Sequence, residues 1–261
     1  YWTRLAMRKI FLTFIYSFSL CFLIGQDSNQ EVWSTWYLKP IYGKAKQLEK
    51  GLIDHVKKHH GQGEWPEYYF EILSGPNSGS FAAWSGPHTW KAFDERVRSQ
   101  ADLNHWNQYV TPFADMSDSD GTSFLVLHKD LSFGPGTLTD YYHLSWNMTY
   151  PGTGGQYREI AETSKKVKEA TNSKNYHTIY QVVSGSNPDA WLWEYPINSM
   201  EELSMSTGGS GSSDLEKALG VEGAKNFWNL YRDTIKSRVR EIQKFRLDMS
   251  TPADTSQTDG T

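Results

Sequence analysis

Glu71-Ile72-Leu73-Ser74-Gly75 recurs 110 residues downstream as Gln181-Val182-Val183-Ser184-Gly185, and this recurrence governs how the chain is read. At the same offset Thr35-Trp36 falls on Ser145-Trp146, Asn77 on Asn187, Phe81 on Trp191, Ala83 on Trp193 and Phe93 on Leu203. One ungapped offset thus spans residues 35 to 93. Further on, His128-Lys129-Asp130-Leu131-Ser132 matches Arg246-Leu247-Asp248-Met249-Ser250 at an offset of 118. The extra positions fit Ser206–Ser213, made only of Ser, Thr and Gly, the composition of a flexible insertion. A fixed offset with one correction is the mark of a duplicated unit.

Each copy reads β-α-β-β-α-β. In the first, strands are expected at Val32–Lys39, Tyr68–Leu73, Ser80–Trp84 and Ser123–His128. Lys44–His60 carries Ala45, Leu48, Leu52 and Val56 at helical spacing, and Trp90, Phe93 and Val97 start a second helix. In the second copy strands are expected at Tyr141–Met148, Tyr176–Val183, Ala190–Tyr195 and Gln243–Met249. One helix carries Tyr157, Ile160, Ala161 and Val167 on a face, and another opens at the capping-box spacing Ser199–Glu202 and resumes over Asp214–Ile235. Ile235, Val239 and Ile242 also fit a helix, so the last strand has a rival reading. The fold class is α+β: two tandem ferredoxin-like repeats, residues 27–136 and 137–250, with antiparallel sheets packed face to face as a dimeric α/β-barrel-like pseudo-dimer. Each split βαβ sheet carries helices on one face only, and the twin is expected to cover the other.

Length and composition set the frame. With 261 residues, 38% hydrophobic and 15% aromatic, the chain can bury a sizeable core. A net charge of −4 without a Lys/Arg block argues against nucleic acid as a partner. Met7-Arg8-Lys9 precedes the apolar run Ile10–Ile24, which is short for a membrane span and suits a signal peptide of about Met7–Gly25. On that reading residues 1–6 are upstream of the start, residues 1–26 are lost, and the mature chain is secreted or periplasmic without a stable membrane span. Its lone cysteine, Cys21, would leave with the leader, unless Cys21 is a lipidation site, a reading disfavoured by the bulky residues around it. Residues 251–261 are polar and aperiodic and are expected to be disordered.

Leu73-Ser74-Gly75-Pro76-Asn77-Ser78-Gly79 followed by Trp84-Ser85-Gly86-Pro87-His88-Thr89-Trp90 resembles uncharacterised exported bacterial proteins related to the NIPSNAP-like and EthD-like dimeric α/β-barrel proteins. The resemblance spans residues 31–250 and is one of fold and pattern. It implies a superfamily that includes haem enzymes such as chlorite dismutases and dye-decolourising peroxidases, cofactor-free monooxygenases, and members without an established activity. No catalytic motif of those enzymes is carried over to this sequence.

Strand alternation divides the residues between two faces. Ser34/Leu144, Trp36/Trp146 and Leu38/Met148 are expected under the helices, as are Phe70/Tyr180 and Ile72/Val182. The opposite face then collects Trp33, Tyr37, Glu71, His128, His143, Asn147, Gln181, Glu194 and Arg246, aromatic rings mixed with a few polar groups, the make-up of a small-molecule cavity. The competing reading is a polar interior satisfied by its own hydrogen bonds. His55 and His59 lie four apart on a helix, a spacing that suits a metal, but no H-E-x-x-H pattern accompanies them and the second copy has Lys165 and Glu169 there. Lys57, Lys58 and His60 make the same stretch read as a solvated helix end, so no metal is assigned. A haem would need an axial histidine, for which His128, His143 and His177 are available.

Three functional readings follow. The first is an exported protein binding a small, partly apolar ligand between the repeats. The second is a monooxygenase-like or haem-dependent enzyme using the same cavity. The third is a structural or interaction module with a filled barrel. Monomer and homodimer both remain open.

Overall fold

Alternation along Val32–Pro40 (β1) sends Trp33 and Tyr37 to one side of the sheet and Trp36 and Leu38 to the other, so one strand serves two separate cores. The computed structural model describes residues 30–61, 65–115, 121–136, 138–185, 189–203 and 210–252. The expected leader, the first part of the Ser/Thr/Gly insertion and the chain from residue 253 lie outside the described residues. After β1 come α1 (Ala45–His59), β2 (Glu67–Ile72), β3 (Phe81–His88), α2 (Trp90–Glu95), α3 (Gln100–Tyr109), the two-residue β4 (Ala114–Asp115) and β5 (Ser123–Leu127). Then follow β6 (Tyr141–Thr149), α4 (Gly154–Ala170), β7 (Thr178–Ser184), β8 (Ala190–Ile197), α5 (Ser210–Thr234) and β9 (Ile235–Phe245).

The chain is α+β, and its sheet is an antiparallel barrel. β1 pairs with β3 and β5, β3 with β2, β2 with β9, β9 with β6, β6 with β8, β8 with β7, and β7 with β5. The ring of eight is therefore closed, with β4 extending it beside the end of β1. Within residues 32–127 the strand order is β5-β1-β3-β2, and within 141–245 it is β9-β6-β8-β7. The helix-free faces of the two groups of four meet in one inner core, and the groups also pair along their edges, at β2–β9 and β5–β7. A free edge exposes a row of unpaired N–H and C=O groups, and closing the ring satisfies both edges at once. The helix-free faces line the barrel interior.

Two face assignments from the sequence are reversed. Phe70, Ile72, Tyr180 and Val182 point into the barrel, whereas Tyr69 and Ile179 pack under the helices. In β6, Leu144, Trp146 and Met148 face inward, and His143, Ser145 and Asn147 face out. For β6 the physical reason is register. Tyr37 lies opposite Ala82, and Trp146 lies opposite Leu192, so with β3 and β8 matched at 110 the first strands match at 109. A one-residue slip turns every side chain to the other face.

Leu48, Leu52 and Val56 of α1 are buried against Leu38, Tyr69, Phe81 and Ala83 on the outer face of the first half. Each such side chain contributes roughly 1.5–3 kcal/mol by leaving water. Thr89 caps α2 by accepting from Ala92 N at 3.1 Å, and Ser99 caps α3 by accepting from Asp102 N at 3.1 Å. Val97, expected in a helix, lies between these two and is exposed. On the second half Tyr157 and Ala161 of α4 cover Ile179, Trp191 and Trp193, while Ile160 and Val167 meet Leu215, Ala224 and Phe227 of α5. Non-helical backbone at Gly220 (φ 72°) divides α5 into two segments. The helix expected at Ser199 opens with a 3₁₀ turn, Met200–Glu202, followed by helical Leu203, and its continuation lies outside the described residues; the final strand is Ile235–Phe245 rather than Gln243–Met249. Nor does the polar tail begin at residue 251: Thr251 is buried, its N–H donating to Glu67 O (2.8 Å) and its hydroxyl to His60 O (3.0 Å). Among the described residues no helix is long and apolar enough to cross a membrane.

Candidate functional site

The loop from Leu73 to Ser80 between β2 and β3 folds back over β9. Leu73 N donates to Ile242 O (2.8 Å), and Ile242 N donates to Ser74 Oγ (3.0 Å). Gly75 (φ 93°) makes that approach possible, because a Cβ there would lie 2.7 Å from Arg240 O. Asn77 is thereby delivered to one mouth of the barrel, where a cavity of about 190 Å³ opens between Thr35, Tyr37, Trp146, Met148 and Glu241.

Glu241 organises this mouth. It is 1% exposed and accepts from Tyr37 Oη (3.0 Å), Asn77 Nδ2 (3.0 Å) and Gln243 Nε2 (3.2 Å). A buried carboxylate is tolerated because these donors replace its water. Glu241→Ala orphans them, and urea denaturation should show a loss of about 2 kcal/mol, with Glu241→Gln costing less. Two other groups in the cavity lack such partners. Thr35 Oγ1 and Trp146 Nε1 are buried and make no hydrogen bond among the described residues. They are the atoms available to a ligand's polar group, while Met148, Val182 and Val239 supply apolar wall.

Deeper in the barrel the interior is aromatic. Trp33 packs against Tyr68, Trp84 and Tyr180 at ring-centroid distances of 6.2, 6.4 and 6.4 Å, and Phe70 lies edge-on to Tyr142 at 5.4 Å. Among these rings β8 places Glu194, opposite Leu144 of β6. No hydrogen bond among the described residues reaches its carboxyl, and burial pushes its pKa up to about 7. Tyr142 is pushed up to about 12, by burial first and by Glu194 second, and Tyr180 is raised well above its ordinary value for the same two reasons. A carboxyl poised near neutrality in an apolar chamber can take up or release a proton under physiological conditions.

Of the residues expected in the cavity, the structure brings Trp33, Tyr37 and Glu194 into the barrel interior and leaves the other six outside. Glu71 lies 3.9 Å from Arg246, which also binds Asp248 (2.8 Å) and Glu49. His128 Nε2 meets Gln181 Oε1 at 3.3 Å, and its ring packs on Trp191. Asn147 Nδ2 donates to Tyr157 Oη (3.0 Å) beneath α4. His143 stacks on Tyr195, and burial, then Arg240 and Arg238, lower it to about 4. The register slip explains His143 and Asn147. For Glu71 and Gln181 the cause is that the interior is more apolar than the helix-covered face at β2 and β7, the reverse of the polarity assumed. Starting the last strand at Gln243 leaves Glu241 outside it, although Lys236, Arg238 and Arg240 at period two mark a strand with one solvated face.

No model of a protein family matches the sequence, and no curated protein matches it. Solved structures do share its fold. An inferred monooxygenase from Lactobacillus acidophilus NCFM superposes with a TM-score of 0.55 at 8% identity, over 86% of this chain and 97% of that one. An anthrone oxidase-like protein gives 0.55 at 8% identity over 85% and 92%. Chlorite dismutase from Candidatus Nitrospira defluvii gives 0.51 at 8% identity over 84% and 93%. The chain therefore shares the α/β-barrel architecture of the monooxygenase-like and chlorite dismutase-like proteins, at identities that speak to fold alone.

Proposed function

We propose that the barrel interior is the active site of a monooxygenase-like enzyme acting on a small, partly apolar molecule, with Glu194 as the group that moves the proton. Glu194 carries this reading: a half-buried carboxyl among aromatic rings, raised to about 7, can exchange a proton near neutrality. The cavity at the mouth is of single-ring size, since about 150 Å³ is enough for benzene. Thr35 Oγ1 and Trp146 Nε1 would hold a hydroxyl or carbonyl of such a molecule, and Glu194, which lies deeper than the residues lining that cavity, would accept a proton from a weakly acidic O–H or C–H of a molecule that reaches past them. The chain would arise from duplication of one ferredoxin-like unit, residues 27–136 and 137–250, in a lineage near the NIPSNAP-like and EthD-like proteins, and would be exported by the N-terminal leader.

A haem-dependent version of the same reading fits the described residues poorly. His177 Nε2 faces Leu131 O (3.2 Å) and its Nδ1 faces Lys168 Nζ (2.6 Å), so both nitrogens are occupied. His128 is taken by Gln181, and His143 is stacked on Tyr195 on the outer face. None of the three lines the barrel interior.

The test is a melting-temperature screen of single-ring phenols, quinols and cyclic ketones, followed by oxygen-uptake measurements on the hits. Trp146→Phe and Thr35→Val should each weaken binding about five- to tenfold, one hydrogen bond's worth. Glu194→Gln should keep binding and lose roughly 100-fold in turnover. Ligand stabilisation without oxygen uptake in the wild type would leave a binding protein, and turnover that survives Glu194→Gln would remove the proposed base.

A further inference from the structure

The helix layer outside the first half of the barrel holds a group of side chains that the interior reading does not use. His55 and His59 of α1 stand one turn apart, and α3 brings His105 against both. The ring centroids are 5.1 Å apart for His55–His59, 5.1 Å for His59–His105 and 5.4 Å for His55–His105. His55 Nδ1 faces His105 Nδ1 at 3.2 Å, and one ligand nitrogen from each of the three residues lies within 4.8 Å of the others. Three nitrogens bound at 2.0–2.1 Å to a tetrahedral ion sit about 3.3 Å from one another, so small side-chain rotations would bring these onto a common centre. The solvated-helix-end reading of this segment is corrected here: His55 is fully buried.

A second observation points the same way. The ring nitrogen His59 Nε2 is buried and makes no hydrogen bond among the described residues, in a structure where buried polar atoms are otherwise mostly paired. His55 Nε2 lies 3.3 Å from Asp102 Oδ1. Asp102 is fixed in turn by Arg98, whose Nε and Nη2 donate to its two oxygens at 2.9 and 2.8 Å. A carboxylate behind one imidazole nitrogen, with the other nitrogen turned to a shared centre, is the arrangement that orients metal-bound histidines. Beside His105 a surface cavity of about 470 Å³, bordered by Lys57, Lys58, Asp54 and Tyr109, leaves room for a fourth ligand from solvent. The lysines there favour an anionic one.

We propose that His55, His59 and His105 bind a first-row divalent metal ion, with Asp102 as a positioning residue behind His55 and the fourth place open to solvent. Three imidazoles with an open position suit Zn²⁺ and its neighbours in the series. The site tethers α1 to α3 on the outside of the barrel, apart from the interior cavity.

The experiment is a calorimetric titration of the EDTA-treated full chain with Zn²⁺, paired with the visible absorption of the Co²⁺ adduct. One ion per chain and a four-coordinate Co²⁺ spectrum are expected. His59→Ala and His105→Ala, both at partly exposed residues, should weaken Zn²⁺ at least 100-fold, and circular dichroism would verify that each variant is folded. Asp102→Asn should weaken it about 10- to 100-fold and perturb the Co²⁺ spectrum. His128→Ala, at a separate place on the barrel, should bind as the wild type does. Absence of stoichiometric Zn²⁺ overturns the proposal. So does unchanged affinity in His59→Ala and His105→Ala, including the case where His60→Ala alone abolishes binding and moves the ion to the neighbouring His55, His60 and Asp102 group.

Discussion

Gly51→Ala is expected to lower the stability of the fold by about 3 kcal/mol, against the ordinary expectation that alanine strengthens a helix interior by up to about 1 kcal/mol. Gly51 is buried midway along α1, where the end of α3 crosses it. A Cβ at this position would sit 2.0 Å from Tyr109 O, 2.9 Å from Tyr109 C and 3.6 Å from Val110 Cγ2. The first two are backbone atoms, so no rotamer change can relieve the overlap and the helices must separate. Leu48, Leu52 and Val110 would then lose packing in the cluster they share. Gly155→Ala is the control: it is also helical, but nothing lies within 4 Å of its added Cβ, and it should be neutral or gain a few tenths of a kcal/mol. Denaturant midpoints of the two variants decide the matter, and equal stability would mean that the helix crossing is looser than described. Because His55, His59 and His105 sit on the same two helices, Gly51→Ala should also impair Zn²⁺ binding.

Lys168→Met is expected to stabilise the protein by about 3 kcal/mol below neutral pH, with the gain fading as the solution becomes alkaline. Lys168 runs beneath α4 toward Tyr195, with Nζ 5.2 Å from the ring centroid and 2.6 Å from His177 Nδ1. Burial lowers its pKa to about 7, opposed only in part by Asp214 of α5. His177 is lowered too, by burial first and Lys168 second, so it accepts at Nδ1 as a neutral imidazole while Nε2–H faces Leu131 O. Between about pH 7 and the ordinary lysine range the unfolded chain keeps a proton that the folded chain has released. Unfolding free energy therefore rises with pH across that window. Below it both states are charged and the full penalty of the buried ammonium applies; above it both are neutral and the penalty is gone. Methionine keeps the packing without the charge, though it leaves His177 Nδ1 unpartnered at a cost of about 1 kcal/mol, which the stated gain includes. Urea denaturation at pH 6 and pH 10 measures the difference, and a gain that is the same at both values would mean that Lys168 is not the group concerned. Glu194 has the opposite slope. Its raised pKa makes folding costlier as pH rises from the ordinary carboxylate range to about 7, so Glu194→Gln should stabilise by about 2 kcal/mol at pH 8 and by little at pH 4.5.

Much of the architecture was legible in residue patterns. Ala45, Leu48, Leu52 and Val56 fixed α1, and Tyr157, Ile160, Ala161 and Val167 fixed α4, because a helix face needs only local spacing. Register was harder. It depends on how many residues separate β1 from β2 and β6 from β7, and a single-residue difference between the halves hides within an alignment anchored on Trp36 and Trp146. In the site, Glu194 could be placed because Ala82 and Leu192 share its parity. Thr35 and Trp146 could not be singled out, since an unpartnered donor is visible only once its neighbours have coordinates.

Joining every strand of the ring to two neighbours also restricts how copies of this chain can associate. Among the described residues the one thin seam is at β9, which β2 covers only along Gln243–Phe245, so Ile235–Glu241 keeps one side without a strand neighbour. A copy adding a strand there would meet Lys236, Arg238 and Arg240, a row of like charges that discourages edge-to-edge pairing.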